Sequence, residues 1–170
     1  NDNASVSSNT ASGNTADQGN GGGVYVKSGT FEMNYSASVT GNTATNTGST
    51  TNTTYGGVYV SGTKSTFEMN GTASITDNTA TNGGVCASGG TFAMNGSSKV
   101  MNNTGNGVYV IGGKFTVSGA PTVTGNKRNN ADSNVFLTGS AYITIGEFGL
   151  TDGASIGVTK TVDNGVIAKG

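Results

Sequence analysis

Gly83 to Gly105 reads GGVCASGGTFAMNGSSKVMNNTG. Three short apolar segments stand in it, Val85-Cys86-Ala87, Phe92-Ala93-Met94 and Val100-Met101, with Gly, Ser, Asn or Thr between them. Such segments, about three to five residues long, alternating with period two and bounded by Gly and Asn, carry the pattern of strands rather than helices. One unit of this size cannot bury a core of its own, whereas a stack of units can.

The same unit recurs along the whole chain in three aligned columns. The first is Val24-Tyr25-Val26, Val58-Tyr59-Val60, Val85-Cys86-Ala87, Val108-Tyr109-Val110 and a degenerate Val135-Phe136-Leu137, with Val166-Ile167-Ala168 as a candidate sixth member. The second is Phe31-Glu32-Met33, Phe67-Glu68-Met69, Phe92-Ala93-Met94 and Phe115-Thr116-Val117. The third is Ser5-Val6, Ser38-Val39, Ser74-Ile75, Lys99-Val100, Thr122-Val123 and Ser155-Ile156. The period drifts between roughly 23 and 36 residues, within the range of solenoid repeats. From the second column to the third the offset is constant. From the third column to the next first column it varies about twofold, so insertions are tolerated at one corner of a fixed cross-section. The largest insertion, Thr43 to Tyr55 (TATNTGSTTNTTY), is polar and low in complexity and reads as a mobile surface loop.

Composition narrows the class. With 30 Gly, one Pro and 10% charged residues, the chain has turn formers in abundance and lacks the Ala-Leu-Glu-Lys runs of helices. Gly does not fall on every third position, which excludes collagen. The register of Val, Phe and Met across units argues against disorder, because a disordered chain has no use for aligned apolar columns. A net charge of −1 offers no electrostatic case for nucleic acid or an acidic membrane as partner. No apolar run approaches the ~18 residues of a membrane-spanning helix. The opening NDNASVSSNT begins inside a unit, as a fragment or processed product would. The single Cys86 has no intramolecular disulfide partner.

The succession GGVYV, GTFEMN, ASVTGNTA resembles two groups of repeats. One is the GGAI and FxxN repeats of chlamydial polymorphic outer-membrane proteins, from which GGVYV departs. The other is the adhesin-like repeat regions of large bacterial surface proteins. Asn134 to Val158 is similar to the closing segment of such arrays. The resemblance implies a right-handed parallel β-helix, an extracellular, cell-surface setting and an adhesive or structural role. Its handedness agrees with the general crossover preference.

In a strand, neighbouring side chains point to opposite faces. With Phe31 and Met33 inward, Phe31, Phe67, Phe92 and Phe115 form one buried stack, and Met33, Met69, Met94 and Val117 another. Each such side chain contributes roughly 1.5–3 kcal/mol by burial. Asn9, Asn42, Asn78, Asn103 and Asn126 follow the third column at a constant offset and read as an amide ladder at a bend. Turn chemistry accounts for them without invoking sugar or ion binding.

Outward positions carry the candidates for function. In the first column, Tyr25, Tyr59, Cys86, Tyr109 and Phe136 fall on one outward line, with Cys86 expected as a partly exposed thiol. Exposed aromatics in a row suit a contact surface for a glycan or a neighbouring chain, unless a long loop such as Thr43–Tyr55 folds over them. Glu32 and Glu68 occupy one outward position on successive rungs, about 5 Å apart, a separation that suits a retaining glycosidase. No third acid, Arg or His accompanies them, and the next units carry Ala93 and Thr116 there, so two solvated carboxylates are the simpler reading. Asp77, Asp132, Asp152 and Asp163 lack the spacing of a calcium loop. No metal or cofactor site is expected. Thr43, Thr79 and Thr104 recur, as an ice-binding face would require, but at the corner where loop length varies.

The sequence therefore predicts an all-β chain. It is a right-handed parallel β-helix over residues 1–170, with three short strands per coil, about five to six coils, and a divergent closing coil or cap at 146–170. The expected role is non-catalytic: a structural or adhesive segment of a bacterial surface protein that meets a glycan, a host surface or its own copies. A polysaccharide-cleaving enzyme and an ice-binding protein are the alternatives.

Overall fold

The structure, a computed structural model, describes residues 3–13, 20–46, 54–161 and 165–170. Among them there is no helix, and three parallel six-stranded sheets run the length of the molecule. The first sheet stacks Val24–Val26, Val58–Ser61, Val85–Ser88, Val108–Val110, Val135–Leu137 and Val158–Lys160. The second stacks Gly29–Met33, Ser65–Met69, Thr91–Met94, Lys114–Gly119, Ile143–Leu150 and Ala168–Lys169. The third stacks Ser5–Ser7, Ser38–Thr40, Ser74–Thr76, Lys99–Met101, Thr122–Thr124 and Ser155–Ile156. The chain visits first, second and third sheets in turn, one strand each per coil, so the molecule is a parallel β-helix.

Register is strict because each unit places like residues opposite like. Phe31 pairs with Phe67, Phe67 with Phe92 and Phe92 with Phe115, and their rings stack at centroid separations of 5.2, 5.0 and 5.1 Å. Phe67, Phe92 and Phe115 are fully buried, with Met69, Met94 and Val117 beside them. A one-residue slip would turn the whole set to solvent, which is why the alternation specifies the register so firmly. At the end of the stack Ile143 and Ile145 take over from Phe115 and Val117.

The bend after the third sheet is held by asparagine amides. Asn42 donates from its backbone and its side chain to Asn78 Oδ1, at 2.9 and 3.0 Å. Asn78 does the same to Asn103, and Asn103 to Asn126. All four are buried. The ladder explains the Gly that opens most coils: a Cβ on Gly57 or Gly84 would lie 2.7 Å from Cγ of Asn78 or Asn103. In the fifth coil Asn134 stands where those glycines stand and accepts both Asn126 bonds, at 3.0 and 3.1 Å. A second amide file, Asn34, Asn70 and Asn95, follows the second sheet.

Two expectations need correction. Thr43–Tyr55 is not a loop throughout. Thr43–Asn46 is a strand parallel to Thr10–Gly13, and Ala44, Asn46 and Thr54 are buried, because the Asn ladder keeps the chain in register for one more turn. Residues 47–53 of that stretch lie outside the described residues, as does Asp163. Val166-Ile167-Ala168 does not join the first sheet. Val158–Lys160 takes that place against Val135–Leu137, and Ala168–Lys169 pairs with Ile143 and Thr144 in the second sheet. Thr43, Thr79 and Thr104 stand where the corner of variable length begins, and they follow one another through parallel bridges that continue to Lys127.

Candidate functional site

The outward line of the first sheet is built from the same register that buries the core. Val24, Val58, Val85 and Val108 pair in sequence, so the residues after them also fall in file: Tyr25, Tyr59, Cys86, Tyr109 and Phe136. Tyr25 is 51% exposed, and Tyr59, Tyr109 and Phe136 are half-buried. Cys86, expected as a partly exposed thiol, is fully buried.

The reason is Tyr55. Its ring stacks on Tyr59 at 4.9 Å and on Tyr109 at 6.5 Å, bridging the gap that the small Cys86 side chain leaves in the file. Tyr25 stacks on Tyr59 at 5.1 Å and Tyr109 on Phe136 at 5.7 Å, so five rings make one continuous pile. The two sequence readings of the line, open stripe or stripe under a loop, each hold in part: the insertion ends by placing one ring in the stripe. Sequence reasoning missed Tyr55 because it lies outside the repeat. The usable signal was the coincidence of one extra Tyr three residues before the column with one non-aromatic member in the next coil.

Stacking fixes what the file presents. The interplanar angles are 11–24°, so ring faces meet one another along the solenoid and ring edges meet solvent. A pyranose binds an aromatic platform by its face, and here the inner faces are taken. The file instead offers a narrow apolar ridge, the shape that packs against another protein surface. Its environment is apolar enough to shift acids. Burial pushes the Cys86 thiol well above its ordinary range. Burial, then the neighbouring Cys86, pushes up the phenols of Tyr55 and Tyr109. All three stay neutral at ordinary pH, and the thiol is no nucleophile.

The remaining candidates are dispersed. Glu32 and Glu68 pair in register on the second sheet, followed by Ala93, Thr116 and Thr144 in the same file. Neither carboxylate lines either of the two clefts of about 530–540 Å3 on the surface. No group of three metal-ligating side chains occurs among the described residues. The hydroxyl face combines the Thr bridges with Ser38, Thr40, Ser74 and Thr76 of the third sheet, but Lys99 and Met101 interrupt it on the next rung.

Fold and surface together define a parallel β-solenoid with buried Phe and Asn ladders and one external aromatic ridge. Compared with known proteins, the chain matches no family model, no curated protein and no solved structure.

Proposed function

We propose that this chain is a non-catalytic structural and contact segment of a bacterial cell-surface protein, and that the aromatic ridge is where neighbouring chains meet it. The observation that carries the reading is the edge-out pile of Tyr25, Tyr59, Tyr55, Tyr109 and Phe136. Such a ridge gives a partner apolar area at low entropic cost, since the rings are already ordered by one another. A composition without His, with its only thiol buried and Glu32 and Glu68 outside both surface clefts, supports a non-catalytic role. The extracellular setting follows from the resemblance of the repeats to adhesin-like arrays.

The test uses the two ends of the ridge, which leaves the cover over Cys86 in place. Tyr25→Ser with Phe136→Ser breaks two of the ring contacts, each worth about 0.5–1.5 kcal/mol beyond area, so the fold survives with a lower melting temperature. Self-association in sedimentation velocity weakens about tenfold or more, as loss of aromatic anchors does. A parent chain that stays monomeric at high concentration, or a variant that associates as the parent does, counts against the ridge as a contact surface.

A further inference from the structure

A second surface feature lies around the corner from the ridge. Between the fourth and fifth coils an open cleft of about 530 Å3 forms where the turn from first to second sheet lengthens by one residue. Val110 and Phe115 are joined by Ile111-Gly112-Gly113-Lys114, whereas Leu137 and Ile143 are joined by Thr138-Gly139-Ser140-Ala141-Tyr142. Phe115 and Ile143 stay paired within despite the difference in turn length. The cleft falls in the size range of small-molecule sites, about 300–1,000 Å3.

Its walls mix apolar and hydroxyl-bearing surface, and the one charged side chain in them is a lysine. Lys114, Thr116, Thr138, Ser140, Tyr142 and Thr144 line it. Lys114 and Tyr142 immediately precede the paired Phe115 and Ile143, and Thr116 and Thr144 pair directly after them, so four outward side chains converge from two rungs. Lys169, one rung further on, sits over the Tyr142 ring at 4.5 Å from its centroid and is not part of the cleft lining. It covers the ring from the far side and adds a second positive charge. Tyr142 is 38% exposed, a free aromatic wall unlike the mutually stacked rings of the ridge. The turn that carries it is held in place: Lys160 Nζ donates to the carbonyls of Gly139 and Ala141, Ala141 N–H donates to Thr138 O, and Thr138 Oγ1 donates to Val110 O. The nearest carboxylate in the same file, Glu68, is two rungs from Thr116, about 10 Å at the usual strand spacing.

We infer that this cleft binds a uronic-acid residue of an acidic polysaccharide. A uronate has three chemical parts, and each finds a counterpart. Its carboxylate meets Lys114, the point charge within the cleft. The apolar C–H face of its pyranose ring meets the open face of Tyr142. Its hydroxyls meet Thr116, Thr144 and Ser140, which both donate and accept. Phosphate fits less well, for the lining has no Arg fork to hold it. The inference does not rest on the aromatic ridge, which is made of other residues on another sheet.

Isothermal titration calorimetry on the 170-residue chain tests it, with a tetramer of galacturonic acid as probe and maltotetraose as its neutral counterpart. The uronate binds and the neutral sugar binds at least about tenfold more weakly, the scale of one lost charge-assisted contact. Lys114→Ala brings the uronate down to the neutral level, Tyr142→Ser weakens both sugars, and Tyr142→Phe restores them. Lys27→Ala, an exposed lysine of the first coil, changes nothing, and the Tyr25→Ser, Phe136→Ser variant keeps full uronate binding. Equal affinity for the two sugars, an equal loss in Lys27→Ala, or no heat with uronate at millimolar concentration each overturns the assignment. Circular dichroism of every variant confirms that the fold is intact.

Discussion

A chain carrying Phe67→Ser and Phe92→Ser together does not hold its β-helix. Both rings are fully buried, and they stack on each other at 5.0 Å in the middle of a file of four. Truncating a buried Phe costs about 3–5 kcal/mol through lost burial and the cavity it leaves. The pair therefore costs about 6–10 kcal/mol before the two buried hydroxyls are counted, against a whole-domain stability of about 5–15 kcal/mol. The expected result is loss of the β signal in far-ultraviolet circular dichroism at room temperature, or a melting transition tens of degrees lower. The contrast with Tyr25→Ser, Phe136→Ser is part of the expectation: those rings lie on the outer line, so that variant stays folded. A folded Phe variant beside an unfolded ridge variant would reverse inside and outside.

Asn103→Ala is the second large effect, and a polar one. Asn103 Oδ1 accepts from the backbone and the side chain of Asn78, at 3.0 Å each, and its Nδ2 donates to Ile75 O, Met101 O and Asn126 Oδ1. The methyl of alanine replaces none of these. The buried backbone N–H of Asn78 loses its acceptor at about 1–3 kcal/mol, its side-chain amide falls back on Val39 O and Thr76 O, and the carbonyls of Ile75 and Met101 lose a donor besides. Chemical denaturation shows the midpoint lowered accordingly. Asn95→Ala, in the more exposed amide file with one side-chain bond to Asn70, loses far less. Equal losses at the two positions would mean that the buried ladder contributes nothing beyond a surface amide.

What the sequence makes legible is what repeats. Phe31, Phe67, Phe92 and Phe115 recur because each rung must present the same shape to the next, and that identity is visible in a single chain. The asparagines at constant offset are the ones whose amides chain together, and the Gly that opens a coil is the space those amides occupy. What breaks the repeat is not legible in the same way. Tyr55 enters the ridge from an insertion, and only its packing beside Cys86 gives it a role. Asn134 joins the ladder eight residues after Asn126 instead of a full coil later, because it stands where a glycine opens the other coils and its amide enters the ladder from there. Val158–Lys160 lacks the GVYV signature, yet the pairing of its neighbours carries it into the first sheet. The uronate cleft lies where successive turns differ in length, at 111–114 and 138–142, outside the apolar columns on which the sequence was aligned.

The functional reading depends on the ridge being one stacked element closed by Tyr55, and Cys86 is a built-in probe of that. The measurement is the rate of native-state labelling of Cys86 by a thiol reagent such as a dithiobisnitrobenzoate at pH 8, in the parent chain and in Tyr55→Ala. Burial keeps the thiol protonated and covered, so the parent labels only as fast as the protein opens. Removing the Tyr55 ring uncovers the sulfur while the core ladders stay intact, and labelling accelerates about a hundredfold or more as opening ceases to require more than local fluctuation. Rapid labelling of the parent, or the same slow rate in both chains, would contradict a ridge closed over Cys86 by Tyr55.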